Sequence, residues 1–302
     1  MTGYLHPGYA ASLSEFGKPR ELPRCGGWIL EREIPGTPYR DAMGPYPLFC
    51  CRDWAGLERD LTELEKDGLL VSLALVTDPF ADCDEASLRR CFADRMYLFK
   101  QHFLVREPCD ITAKVSKHHL YYSERALRDL QIEAVREPAD YWHEWAALYE
   151  VLKQRHGLTG IHAFSDRAFE SQFRIPGVVY FRALHKGFCA GGHIWYEQGG
   201  VAYSHLAAFS EAGYKLMASY AIYGRAIEYF SGRVDWLNIG AGAGVDSNGS
   251  DGLTRFKRGW ATDTRPVFFC GRIFNRPLYD KLTERRGTQG EAYFPAYRAG
   301  KK

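Results

Sequence analysis

The strongest constraint on the fold comes from three strand-length segments in immediate succession: Val178 to His185, Phe188 to Tyr196 and Val201 to Phe209. Apolar and aromatic residues dominate each, as a largely buried strand requires. The joints are Lys186-Gly187 and Gln198-Gly199-Gly200, where glycine supplies the backbone freedom of a tight hairpin. The expectation is an antiparallel meander, and the rest of the chain has to pack around it.

Helix-like and strand-like patterns alternate on either side. Asp53 is placed to cap a helix whose apolar stripe is Trp54, Leu57, Leu61 and Leu64, ending at Gly68. Leu69 to Val76 has the length and composition of a strand. Glu85 to Phe103 is expected to be helical from the spacing of Leu88, Phe92 and Met96, and Lys117 to Tyr122 is expected to be a strand leading into a turn. After Pro138, the residues Tyr141, Trp145, Leu148 and Leu152 predict a helix ending at His156-Gly157. Beyond the meander come a helix stripe (Leu216, Tyr220, Tyr223, Ile227, Phe230), a strand from Val234 to Ile239, a glycine-rich loop and a strand from Phe268 to Phe274. The pattern reads as a mixed α/β (α+β) protein with a boundary at Pro138, giving units 1–138 and 139–302.

Composition narrows the functional classes. With 302 residues, 46% of them hydrophobic, the chain can bury one large core or two ordinary ones. No segment approaches the roughly 20 apolar residues of a membrane span, and Met1 to Pro7 has no basic-then-apolar stretch, so the expected location is the cytoplasm. The eight cysteines are scattered without CxxC spacing, which reads as reduced thiols and no cysteine metal site. Net charge is +2, unevenly spread. From Arg255 to Lys302 there are 12 Lys and Arg against 4 Asp and Glu, a local +8, leaving −6 on residues 1–254. Near-neutrality excludes a protein that coats nucleic acid over its whole surface but leaves room for one local anionic ligand.

Several motifs fail on inspection. Gly240-Ala241-Gly242-Ala243-Gly244 follows a strand, but the dinucleotide fingerprint needs glycine where Val245 stands, and Asp246 to Gly252 reads as loop with no helix opening after it. Close backbone approach and contact with a substrate both remain open for this loop. His143-Glu144 has Ala147 where a metalloprotease helix needs histidine, and His118-His119 on a strand would face opposite ways. Gly249-Ser250-Asp251-Gly252 has the wrong spacing for a nucleophile elbow. Arg255-Phe256-Lys257-Arg258-Gly259-Trp260 is more informative. It reads either as a solvated charged turn or as a site in which Lys257 faces a phosphate or oxyanion beside a stacking surface at Phe256 or Trp260.

Taken together, these segments resemble a known family. Ser116 to Glu133, Ile175 to Ala183, Gly191-Gly192 and Ala202 to Ala208 are similar to the FemAB-like, tandem GNAT-fold N-acyltransferases, as is Asn238-Ile239-Gly240 followed by Gly252-Leu253-Thr254-Arg255-Phe256-Lys257-Arg258-Gly259-Trp260. The last segment looks like the family signature of aspartate, loop, small-leucine-x-x-phenylalanine-lysine-x-glycine-aromatic. The likeness covers about residues 110–285, with the first hundred matching only as a plausible first half.

The resemblance implies two GNAT-like units, the second containing the meander, a helix and splayed strands. It also implies transfer of an activated acyl group to an amine without a covalent enzyme intermediate. The donor would be aminoacyl-tRNA, entering by its acceptor arm, or acyl-CoA in the alternative, and the acceptor a small peptide-like amine. No cofactor or metal is expected, and a non-catalytic binding module of the same fold is the third reading. Lys257, Tyr203 and His205 are the expected catalytic group; Phe256, Arg255, Arg258, Trp260, Lys215 and Tyr214 would hold the donor, and Asn238, Gly240 and Gly242 the substrate. Two departures matter. The turn Ser210-Glu211-Ala212-Gly213-Tyr214-Lys215 keeps one glycine of the CoA pyrophosphate turn and adds an acidic residue, which favours an aminoacyl-tRNA donor. Asn238 replaces the usual aspartate and weakens general-base catalysis at that point.

Overall fold

The computed structural model describes residues 1–107, 115–243 and 251–300. Along the chain come α1 (Pro7–Ser12), β1 (Lys18–Leu22), β2 (Gly27–Glu33), β3 (Arg40–Met43), α2 (Leu57–Asp67), β4 (Leu70–Val76), α3 (Glu85–Cys91) and β5 (Arg95–Arg106). They are followed by α4 (Lys117–Ala126), β6 (Gln131–Val135), α5 (Trp142–His156), α6 (Asp166–Gln172), β7 (Val178–His185), β8 (Phe188–Gln198) and β9 (Val201–Phe209). The last elements are α7 (Glu211–Lys215), α8 (Ala218–Phe230), β10 (Trp236–Gly240), α9 (Gly252–Trp260), β11 (Asp263–Ile273) and α10 (Arg276–Arg286). This is the mixed α/β architecture the sequence predicts. None of the described helices is long and apolar enough to cross a membrane.

Contacts group the chain into two compact units, Met1–His6 with Gln101–Arg265, and Pro7–Lys100 with Pro266–Lys302. The division differs from the expected boundary at Pro138. Strand β6, which precedes that proline, pairs from Gln131 to Val135 with β7 beyond it, so a cut there would separate hydrogen-bonded neighbours.

The unit containing Pro7–Lys100 orders its strands β1-β2-β3-β4-β11. Asp53 does cap its segment, accepting from the Ala55 amide, and Gly68 ends α2 at a φ of 64°. Leu57, Leu61 and Leu64 pack against Leu73 and Leu75 with Cys25, Cys91 and Cys270 among them. These three thiols and Cys50 are buried, Cys51, Cys83 and Cys189 are half-buried, and none of the seven is in a disulfide; Cys109 lies outside the described residues. The helix expected over Glu85 to Phe103 stops at Cys91, and β5 starts at Arg95. Asp94 fixes the change of structure: its carboxylate accepts from the Ile273 amide at 2.7 Å and pairs with Arg276.

The unit containing Gln101–Arg265 orders its strands β5-β10-β9-β8-β7-β6. The meander β7-β8-β9 is antiparallel as expected, whereas β9 and β10 are parallel because α8 crosses between them. Its core gathers Trp195, Phe181, Phe230, Ile222, Leu237 and Trp260. Lys117 to Tyr122 is the start of helix α4, not a strand. Buried His119, Ser123 and Ala126 form one helical face, and a Cβ at Gly224 of α8 would come within 2.4 Å of Ser123 Oγ, so that glycine admits the close crossing. A helix also opens after the glycine-rich segment, contrary to expectation: the Asp251 carboxylate accepts from the Thr254 amide and starts α9. Of the expected loop Asp246 to Gly252, positions 246–250 lie outside the described residues.

Candidate functional site

The parallel pairing of β9 with β10 covers Val201 to Tyr203 against Trp236 to Asn238. No register continues it, although β9 runs on to Phe209 and β10 to Gly240. The two strands thus form a fork, whose carbonyls and amides cannot be satisfied by each other.

Asn238, Gly240, Gly242 and Lys257 meet at this fork. Asn238 is buried, and its Oδ1 accepts from the Gly240 amide at 2.9 Å and from His102 Nδ1 at 2.9 Å. Its side chain therefore shapes the turn, in which Gly240 has a φ of 75°. Gly242 lets the turn lie against α9, since a Cβ there would be 1.9 Å from Thr254 Oγ1. From α9, the Lys257 Nζ donates to the Ala241 carbonyl at 2.7 Å, and a Cβ on Gly240 would stand 2.9 Å from it. Lys257 is half-buried, so its charge sits in a setting of reduced solvent screening.

The neighbours of Lys257 in the signature dock the helix that carries it. Phe256 packs edge-on against Tyr220 and Tyr223 of α8. The Phe256 carbonyl accepts from His119 Nε2 at 2.9 Å, and the His119 ring occupies the space a side chain at position 259 would need. Trp260 is fully buried, edge-on to His119, so it is not the stacking surface the sequence suggested. Arg255 and Arg258 are exposed.

Other expected residues fall elsewhere. Tyr203 and His205 do share a face of β9, but a buried one: both pack against Tyr4, whose hydroxyl lies 3.1 Å from His205 Nδ1. Burial holds His205 neutral, its pKa pushed down to about 3. Tyr214 stacks under Arg155 of α5, and Lys215 is exposed on the five-residue helix α7. The amides of Gly213, Tyr214 and Leu216 are used within that turn, by Ser210 Oγ, the Ser210 carbonyl and the Ala212 carbonyl.

The sequence reading missed a polar cluster behind the fork. Fully buried His193 has its Nε2 2.8 Å from Ser204 Oγ, and Tyr223 of α8 packs on its ring. Tyr223 was legible only as a core position of an apolar stripe. Ser204 was legible from alternation alone, because it must face away from Tyr203 and His205. Burial, then the nearby charge of Lys257, keeps His193 well below the ordinary histidine pKa.

No known family's sequence profile and no curated protein matches this sequence. Solved structures do match. FemX superposes with a TM-score of 0.69 at 14% identity, covering 91% of this chain and 93% of that one. The C-terminal domain of a putative lysylphosphatidylglycerol synthetase from Agrobacterium fabrum gives 0.62 at 14% identity over 91% of each chain. L-PGS from Bacillus licheniformis gives 0.60 at 14% identity, covering 94% of this chain and 98% of that one. The chain has the FemX-type, FemAB-like fold.

Proposed function

We propose that the protein is an N-acyltransferase that moves an activated amino acid from aminoacyl-tRNA to the amine of a small peptide-like acceptor. The observation that carries this reading is Lys257, a cation held on the Ala241 carbonyl at the open fork of two parallel strands. A carbonyl entering the fork would be polarised by the ammonium, and the oxyanion formed on attack by an amine would be neutralised by it. Transfer of this kind depends on positioning and charge stabilisation, so it needs no serine or cysteine nucleophile.

The donor class rests on two further observations. The Ser210 to Lys215 turn has three of its amides occupied internally and an exposed Glu211 at its start, a poor cradle for a pyrophosphate. Helices α4 and α9 instead carry exposed cations, Lys117, Arg125, Arg255 and Arg258, with an exposed Tyr121 ring, a surface suited to an RNA end. The fold shared with FemX and with lysylphosphatidylglycerol synthetases is consistent with handling of an activated amino acid.

The test is incubation with charged tRNA and candidate peptide amines. A new amide should form and should disappear after ribonuclease treatment, and Lys257→Ala should lower turnover by more than tenfold with the fold intact. Equal turnover with acyl-CoA alone would replace the tRNA reading by the CoA-dependent one. Ligand binding without transfer from either donor would leave a binding module.

A further inference from the structure

Helix α4 has two sides of opposite character. His119, Ser123 and Ala126 are buried, whereas Lys117, His118, Tyr121 and Arg125 are exposed. The exposed four are spaced by three, four and seven positions, so they share the outer side of the helix. One ring in water needs no explanation. Here the two outer rings are held in place by others. Half-buried Tyr122 meets His118 edge-on with ring centres 4.5 Å apart and Tyr121 edge-on at 5.2 Å, and it leans on Tyr220 of α8 at 5.5 Å. Tyr220 in turn meets Phe256, the residue before Lys257, at 4.9 Å. Tyr121 nevertheless keeps 57% of its surface accessible.

Rings fixed in this way lose little conformational freedom when a ligand lands on them. The charges beside them say what kind of ligand that is. Lys117 and Arg125 flank the rings against a single carboxylate on α4, Glu124. Helix α9, whose Gly259 lies on His119, adds exposed Arg255 and Arg258 and has no acidic residue. The surface thus suits a ligand that is both flat and anionic, which a neutral sugar is not. In a paired RNA stem the bases are closed against each other, whereas an unpaired strand presents base faces and phosphates together.

We propose that the outer side of α4 is a surface for single-stranded RNA, on which Tyr121 and His118 stack the unpaired nucleotides at the aminoacyl end of the donor tRNA while Lys117 and Arg125 take their phosphates; this rests on the aminoacyl-tRNA reading above. Stacking and charge make separate contributions, and they can be measured apart.

The experiment is fluorescence anisotropy of the full chain with uncharged tRNA, either intact or trimmed of its unpaired 3′ nucleotides, over a range of salt concentrations. The parent should bind the intact form about fivefold more tightly or better. Tyr121→Ala should weaken binding of intact tRNA about fivefold or more without changing the salt dependence, should hardly affect trimmed tRNA, and should be rescued by Tyr121→Trp. Lys117→Ala and Arg125→Ala should each lower the slope of log affinity against log salt by about 0.7. All four side chains are exposed, so melting temperatures should not move. If the parent binds intact tRNA but Tyr121→Ala and His118→Ala stay within about twofold of it, or lose as much with trimmed tRNA, the surface is refuted and the donor reading stands. A parent that binds neither form overturns both.

Discussion

Gly259→Ala separates a packing explanation of the signature glycine from a helix-propensity one, because the two predict opposite signs. Gly259 lies in the last turn of α9, where alanine alone would stabilise the helix by about 1 kcal/mol. A Cβ at this position, however, would stand 2.0 Å from His119 Cε1 and 2.3 Å from Nε2. The ring cannot swing aside freely, since Tyr220, Phe256 and Trp260 surround it with ring centres 5.1, 5.6 and 5.2 Å away. Displacing it breaks the 2.9 Å bond to the Phe256 carbonyl, a loss of about 1 kcal/mol, and overpacks the site by about 1–3 kcal/mol. After the propensity gain is subtracted, a net loss of about 2 kcal/mol remains. Urea unfolding followed by far-ultraviolet circular dichroism measures it directly. The paired variant Gly259→Ala/His119→Ala should be more stable than the sum of its single changes by about 1–2 kcal/mol, because the ring that clashes has been removed. A single Gly259→Ala protein as stable as the parent, or strict additivity of the pair, would refute the reasoning.

Acid should destabilise the unit containing Gln101–Arg265 before its carboxylates titrate. His205 and His193 are buried and neutral with lowered pKa values, so the unfolded chain takes up protons that the folded one refuses. The stability they contribute is fully present above the unfolded pKa of about 6.5 and is lost as the pH falls toward the folded values, at about 1.4 kcal/mol per pH unit for each histidine. The urea midpoint should therefore drop between pH 6.5 and 5, and His205→Gln should make the drop shallower without abolishing it, since burial also lowers His119 and His162 in the same unit; a flat midpoint would contradict the assignment. At the other end of α9, Asp251→Ala removes the carboxylate that binds the Thr254 amide and hydroxyl, and should reduce transfer activity threefold or more by loosening the start of the helix that carries Lys257. Asp251→Asn keeps an acceptor oxygen and should keep most of the activity, so equal loss in both variants would point to the charge instead of the cap.

The meander and the helices α2, α5 and α8 were legible because their signals are local: glycine at each strand reversal, apolar spacing along each helix, and, before α2, the capping residue Asp53. Two segments misled for the same physical reason. Leu88, Phe92 and Met96 keep helical spacing across a helix end, yet Asp94 is claimed by Ile273 and Arg276, partners 179 and 182 positions away in the chain. In the other direction, His118-His119-Leu120-Tyr121-Tyr122 has the β-rich composition of a strand but folds as a helix, whose buried face of His119, Ser123 and Ala126 meets α8 closely at Gly224, about a hundred positions away in the chain. Spacing within a window cannot report contacts of that range.

The site illustrates a sharper form of the same limit. Phe256, Lys257, Arg258 and Trp260 all looked like candidate ligand contacts, since aromatic and basic residues side by side suit a stacked, charged donor. In the folded chain Phe256 and Trp260 are turned inward, and Gly259 is small because His119 lies on it. Three of the five residues thus fix the rotation and depth of α9, and that rotation is what brings Lys257 to the Ala241 carbonyl. The specificity of the motif is therefore mainly a specificity of docking. The period of two in β9 separates its side chains in the same way: Tyr203 and His205 go to the face buried against Tyr4, and Ser204 goes to the other face, beside His193.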